Sequence, residues 1–159
     1  MKKIYIASPL GFSEIGRAFY NSVLIPKVEE IGYEVIDPWV LTDPKIIEVA
    51  LQARPNTKRR FNLWLKANHI IGRNNADGLI RSDIVLAILD GNDTGTSGEI
   101  GAGWAIGKPI IGYLGDFRNF GDNEATKINL QIEYFILNSH GGVITYNLED
   151  LYNELQKRI

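Results

Sequence analysis

The residues most able to do chemistry lie in one glycine-rich run, Asp90-Gly-Asn-Asp93-Thr-Gly-Thr-Ser-Gly-Glu99-Ile-Gly-Ala-Gly103. It gathers Asp90, Asp93 and Glu99 after an apolar stretch, with Glu99 read in the first turn of the helix that follows. Paired carboxylates at a helix amino terminus suit work on a glycosidic bond. A nucleophile must be ionised, and the helix dipole favours an anion there by about 0.3–1 kcal/mol. The same anion stabilises positive charge developing on an anomeric carbon. A plainer reading stands beside this one. Thr96-Ser-Gly-Glu99 fits the capping box, where the glutamate only reaches back to the N-cap amide. Gly98, Gly101 and Gly103 each cost a helix interior about 1 kcal/mol relative to alanine. Three so close imply that a ligand, or the neighbouring sheet, packs near that backbone.

The loop Ala7-Ser-Pro-Leu-Gly11-Phe12-Ser13 occupies the place of a dinucleotide fingerprint but lacks G-x-G-x-x-G. Gly101-x-Gly103-x-x-x-Gly107 has the wrong spacing and lies inside a helix, and there is no P-loop. No cofactor is expected. Phe12, at the loop tip, has the face to stack on a nucleobase, or it staples the first helix. His69 and His140 have no partner spacing for zinc, so no metal site is expected. Lys58-Arg-Arg60 reads as a solvated helix start, and Trp39, Trp64 and Trp104 as core or interface.

The elements that must hold these residues are legible as short, nearly continuous apolar runs at 3–7, 34–36, 83–89, 109–114 and 142–146. Runs of this kind, rich in Ile and Val, are strands of a parallel sheet buried on both faces. Helical spacing fills the gaps: 14–31 with a kink at Pro26, 58–82 interrupted around Gly72, 97–107, and 147–158. Strands alternating with helices give right-handed crossovers and an open doubly wound sheet. Segments 37–57 and 115–128 read as long irregular connections, lengths that signal function. Leu130, Ile132, Tyr134, Phe135, Ile136 and Leu137 leave helix 129–138 hardly any polar face, so it is expected to be buried all round, against another subunit in part. Ligands of such sheets sit beyond the carboxyl ends of the strands, which points to 8–13, 37–43, 90–99 and 115–129.

The 159 residues suit one α/β domain, 1–159, with no repeats. With no cysteine, disulfides and thiolate metal sites are excluded, and a reducing, cytoplasmic setting is expected. The 17 basic and 19 acidic residues leave a net charge of −2, too little field to coat a nucleic acid polymer or a membrane surface. The apolar run after Lys2-Lys3 is too short for a secretory signal, and no stretch is long enough for a membrane span.

Together IYIASPLGFS, Asn75 through Asp83, and LAILDGNDTGTSGEIGAGWAIGKPIIGYLGDFR resemble the nucleoside 2-deoxyribosyltransferase family, and Asp122-Asn123 and Ile128-Asn129-Leu130 follow in its order. The resemblance implies a flavodoxin-like sheet of five parallel strands and a homo-oligomer built of dimers that share active sites. It also implies 2′-deoxynucleoside and free nucleobase as substrates. Glu99 falls on the nucleophile, Asp93 on a substrate-binding carboxylate, Tyr5 on the tyrosine that positions the nucleophile, and Asn129 on the asparagine that reaches a neighbour's sugar. Gly11 and Phe12 fall in the base-binding loop, with Asp37 a further substrate-side carboxylate. Where many members carry an aspartate at the base, this chain has Asn75. An amide hydrogen-bonds but cannot shuttle a proton, leaving Asp93, Asp37 or water to supply it.

The activity so implied is transfer of 2-deoxyribose between bases through an ester on Glu99, with net retention, in nucleotide salvage. Two alternatives stand against it. One is an N-glycoside hydrolase of nucleosides or nucleoside monophosphates, for which Arg118 and Lys127 are the candidate phosphate-binding cations. The other is a non-catalytic nucleotide-sensing module of the same fold with Asp90 as phosphoacceptor; it lacks the acidic pair and the lysine that such a module requires.

Overall fold

Strand periodicity decides the architecture. In the computed structural model, which describes residues 1–159, β1 (Lys3–Ala7), β2 (Glu34–Ile36), β3 (Ile84–Ile88), β4 (Ile110–Tyr113) and β5 (Val143–Thr145) form one sheet in the order β2-β1-β3-β4-β5. All four pairings are parallel, with Tyr5 opposite Val85 and Ile36, and Ala87 opposite Gly112. The order reverses between β1 and β3, and the crevice at that switch point is where this flavodoxin-like fold binds ligands.

Alternation along each strand feeds two cores. Ile4, Ile6, Ile84, Leu86 and Ile88 point toward Tyr20, Leu24, Val28, Leu151 and Leu155. Tyr5, Ala7, Val85, Ala87 and Leu89 point the other way, toward Leu79, Ile100 and Ile136. The first core is covered by α1 (Glu14–Phe19), α2 (Ile25–Ile31) and α7 (Leu148–Gln156). The second is covered by α4 (Lys58–Arg81), α5 (Thr94–Ala105) and α6 (Leu130–Leu137). Each fully buried Leu or Ile contributes roughly 1.5–3 kcal/mol.

The expected kink at Pro26 is a wide turn. Pro26 has no N–H to give, and residues Tyr20–Leu24 adopt π-helical geometry in which the Ile25 amide reaches the Tyr20 carbonyl. Gly32, at φ 117°, closes α2 in the left-handed conformation that suits glycine.

Three expectations are corrected, and the one for the sixth helix stands in part. The chain 58–81 is one continuous helix: Gly72 is exposed with open space around it, and its cost of about 1 kcal/mol is too small to break a long packed helix. Segment 37–57 is not irregular throughout, because α3 (Pro44–Gln52) starts on the Asp43 side-chain cap with Pro44 at its first turn. Segment 115–128 does stay irregular. Helix α6 is covered by its own chain on one side only, and the rest of its apolar surface is left for the subunit contact expected from the sequence. Only Ile136 is fully buried, while Leu130, Tyr134 and Leu137 are each about half exposed. Finally, α5 begins three residues earlier than the capping-box pattern implied, with consequences for Glu99.

Candidate active site

Helix α5 is capped by Asp93, whose Oδ2 accepts hydrogen bonds from the Thr96 amide (2.7 Å) and the Thr96 hydroxyl (3.0 Å). Thr96 is therefore inside the helix and cannot be its N-cap, and Glu99 sits in the second turn. There the dipole is weak, since its effect falls off beyond the first turn. Nor does Glu99 fold back on a cap. Its Oε1 accepts a 2.5 Å hydrogen bond from the hydroxyl of Tyr5, in the strand beside β3. Gly78 lets α4 close on that strand: a Cβ there would lie 2.7 Å from Leu41 and 3.4 Å from the Tyr5 ring.

Charge at this spot is finely set. Burial pushes the Glu99 carboxyl above its ordinary range, the Tyr5 hydrogen bond pulls it back, and the Asp93 charge adds to the rise. Tyr5 is itself driven upward by burial and by Glu99, so it stays a protonated donor. The dipole expected to keep Glu99 ionised is thus replaced by a single phenolic hydroxyl.

Glu99 opens on a cavity of about 270 Å3 at the switch point, lined by Ser8, Phe12, Pro38, Trp39, Ile71, Asn75, Asp93, Gly95 and Thr96. This size is at the small end of ligand pockets. Its floor is acidic, and its outer wall aromatic: Phe12 meets Trp39 edge to face with ring centroids 4.7 Å apart. Phe12 is three-quarters exposed, so it does not staple the first helix. Asn75 and Ile71, one turn apart on α4, form the facing wall. The Asn75 Oδ1 is buried without a hydrogen-bond partner.

The structure thus brings Glu99, Asp93, Tyr5, Phe12 and Asn75 together, and holds three other expected residues apart. The Asp37 Oδ1 accepts hydrogen bonds from the Tyr20 hydroxyl (2.9 Å) and the Trp39 amide (3.0 Å) behind the wall. Gly11 lies under the Trp39 indole, where any Cβ would come within 2.2 Å of the ring. Asn129 caps α6 and bonds Asp122, facing a small adjoining cleft that shares Asp93 and Thr96 with the Glu99 cavity. Trp39, read from sequence as core or interface, was missed; its approach to Gly11 is a contact between distant loops. The close packing inferred from three glycines holds at Gly103 alone, against Val85 of the sheet, while Gly98 faces open space. Asp90 is engaged in the fold, accepting the Gly115 and Asp116 amides.

A half-buried, tyrosine-bonded glutamate beside an aromatic-walled cavity, at the switch point of a flavodoxin-like sheet, is the arrangement that places the chain in a class. The family model for nucleoside 2-deoxyribosyltransferases matches residues 4–137, and the chain belongs to that family. The family match makes it an enzyme, a nucleoside deoxyribosyltransferase. Solved structures agree on the fold. A conserved protein from Enterococcus faecalis is 23% identical, with 100% of this chain and 99% of that one covered and a TM-score of 0.70. A 2-deoxyribosyltransferase from Leishmania mexicana is 20% identical, covering 99% and 98%, at 0.65. A CMP N-glycosidase from Clostridium botulinum is 18% identical, covering 97% and 98%, at 0.59. Among curated proteins none gives a significant match. No helix is long and apolar enough to cross a membrane.

Proposed function

We propose that the chain transfers 2-deoxyribose from one nucleobase to another by double displacement on Glu99. The observation that carries this reading is the Glu99 carboxylate itself. One oxygen is held by Tyr5 and the other takes no hydrogen bond from the protein, at the edge of a cavity with an aromatic wall. In the first step the free oxygen attacks C1′, the bond from C1′ to the base nitrogen breaks, and the base leaves with its electron pair and takes up a proton. A second base attacks the ester from the vacated face and gives up its ring N–H proton to water, which returns the carboxylate and gives net retention. Asp93, whose Oδ1 is not needed for the cap, holds a sugar hydroxyl. Asn75 and Phe12 face the base. The amide donates to a ring acceptor without protonating it, so water supplies the proton, Asp37 being spoken for.

Hydrolysis of a nucleoside monophosphate fits less well. No lysine or arginine lines the cavity, two carboxylates do, and Arg118 is bound by both oxygens of Asp116. Transfer among neutral nucleosides in a salvage role, inside the cell, is the reading we adopt. We further propose a homo-oligomer, since Asn129 lies outside its own chain's cavity and α6 offers an exposed apolar face. Mixing the protein with thymidine and adenine tests the activity. Deoxyadenosine is expected, with ping-pong kinetics. Release of free sugar at an undiminished rate without any acceptor would instead identify a hydrolase.

A further inference from the structure

The aromatic wall has a support that the chemistry above does not use. Trp39 follows β2 in a loop with little structure of its own, and its ring is two-fifths exposed, yet three features fix it. Its amide is tied to the Asp37 Oδ1 at 3.0 Å. Its indole lies flat against Gly11, where no other residue leaves room. Its ring meets the edge of Phe12. Asp37 is in turn held by the hydroxyl of Tyr20, which is buried in the first core and opens the π-helical turn that Pro26 imposes. Both hydrogen bonds end on the same oxygen, so Asp37 works as a two-way bracket between the π-helical turn and the loop. Burial and Asp37 drive the Tyr20 hydroxyl upward, which keeps it a donor.

We infer that Trp39 is a base-binding residue, and that Asp37, backed by Tyr20, is the positioning residue that sets its ring against a flat heterocycle in the Glu99 cavity. This rests on the nucleoside reading for the identity of the heterocycle. An indole face is sequence-tolerant toward bases because every base has a π face, and removing one such ring typically weakens binding roughly 5- to 150-fold. The bracket needs only an accepting oxygen, so asparagine at position 37 serves as well as aspartate. A proton donor at that position would not survive the same change.

The test measures binding of free adenine, hypoxanthine, cytosine and thymine by calorimetry to the full chain carrying Glu99→Gln, which cannot turn over. Adding Trp39→Ala is expected to weaken the bases that bind by roughly 5- to 150-fold, and Trp39→Phe to restore most of the loss. Asp37→Asn should bind like its parent, whereas Asp37→Ala should weaken binding and, with Glu99 intact, raise KM for the acceptor base far more than it lowers kcat. Gly11→Ala displaces the ring without touching the bracket and should mimic Trp39→Ala, which keeps the test intact if Asp37→Ala fails to fold. Unchanged binding in Trp39→Ala, no binding of any base to the parent, or a loss in Asp37→Asn as deep as in Asp37→Ala would each overturn the inference. Base binding that follows this pattern in a protein without transfer activity would uphold it and sink the proposed function instead.

Discussion

The hydroxyl of Tyr5 donates a 2.5 Å hydrogen bond to Oε1 of Glu99, joining the sheet to the second turn of α5. That bond opposes the burial which lifts the Glu99 carboxyl. Tyr5→Phe therefore raises the Glu99 pKa further, and the acidic limb of the pH–rate profile moves to higher pH. A charge-assisted hydrogen bond contributes about 1.5–3 kcal/mol, so a rate loss of roughly 10- to 100-fold near neutrality is expected. An acidic limb that stays in place would show that Glu99 does not set it.

The raised carboxyl has a cost in stability. A group whose folded pKa exceeds its unfolded value contributes stability below the unfolded value and loses it as pH rises through the folded one. Glu99→Gln keeps an oxygen for Tyr5 and removes the buried charge. The variant should melt at a higher temperature than wild type at about pH 7, with the difference shrinking toward about pH 4. Calorimetric melting of both proteins across that range checks it.

Asp93 has two roles that separate cleanly. As the N-cap of α5 it is worth about 0.5–2 kcal/mol against alanine, and asparagine caps as well. As a charge it lifts the Glu99 carboxyl. Asp93→Asn should thus keep its melting temperature while the acidic limb moves to lower pH; Asp93→Ala should lose stability as well. Denaturant unfolding and pH–rate profiles of the two variants decide the point.

Asn75 lines the cavity with an amide that cannot carry a proton. Asn75→Asp introduces a titratable acid facing the base. Faster base exchange is expected, with a new alkaline limb as that acid ionises, general acid catalysis contributing typically 10²- to 10⁴-fold. The profile of a slow leaving base shows this best. A variant with unaltered rate and profile would mean that position 75 does not face the leaving group.

Much of the fold is legible because burial on both faces leaves strands apolar without a break: 83–89 brackets β3, and 3–7 coincides with β1. Helix starts are less legible where two signals compete. Asp93 and Thr96 both have capping side chains three residues ahead of an amide to bond, and the earlier one prevails because its carboxylate accepts two donors at once. Asp43-Pro44 is a sound start signal that the length of the surrounding loop obscured. At the site, Asp93 shares a run with Glu99, whereas Tyr5, Phe12 and Asn75 lie on other elements and were brought to it by the family resemblance. Trp39 was not legible, since its place depends on Gly11, Asp37 and Tyr20, which no local pattern connects. Helix α6 was legible as apolar all round, but such composition records what a face must meet, not whether its own chain supplies it.

The most direct measurement is intact-protein mass spectrometry after mixing with a 2′-deoxynucleoside and quenching in acid before any acceptor base is added. Wild-type protein should carry one deoxyribosyl group, mapped to the peptide containing Glu99, lost on adding a base and absent from Glu99→Gln. An adduct on another residue, an adduct that persists in Glu99→Gln, or steady base exchange with no adduct at the shortest quench times would contradict covalent catalysis by Glu99.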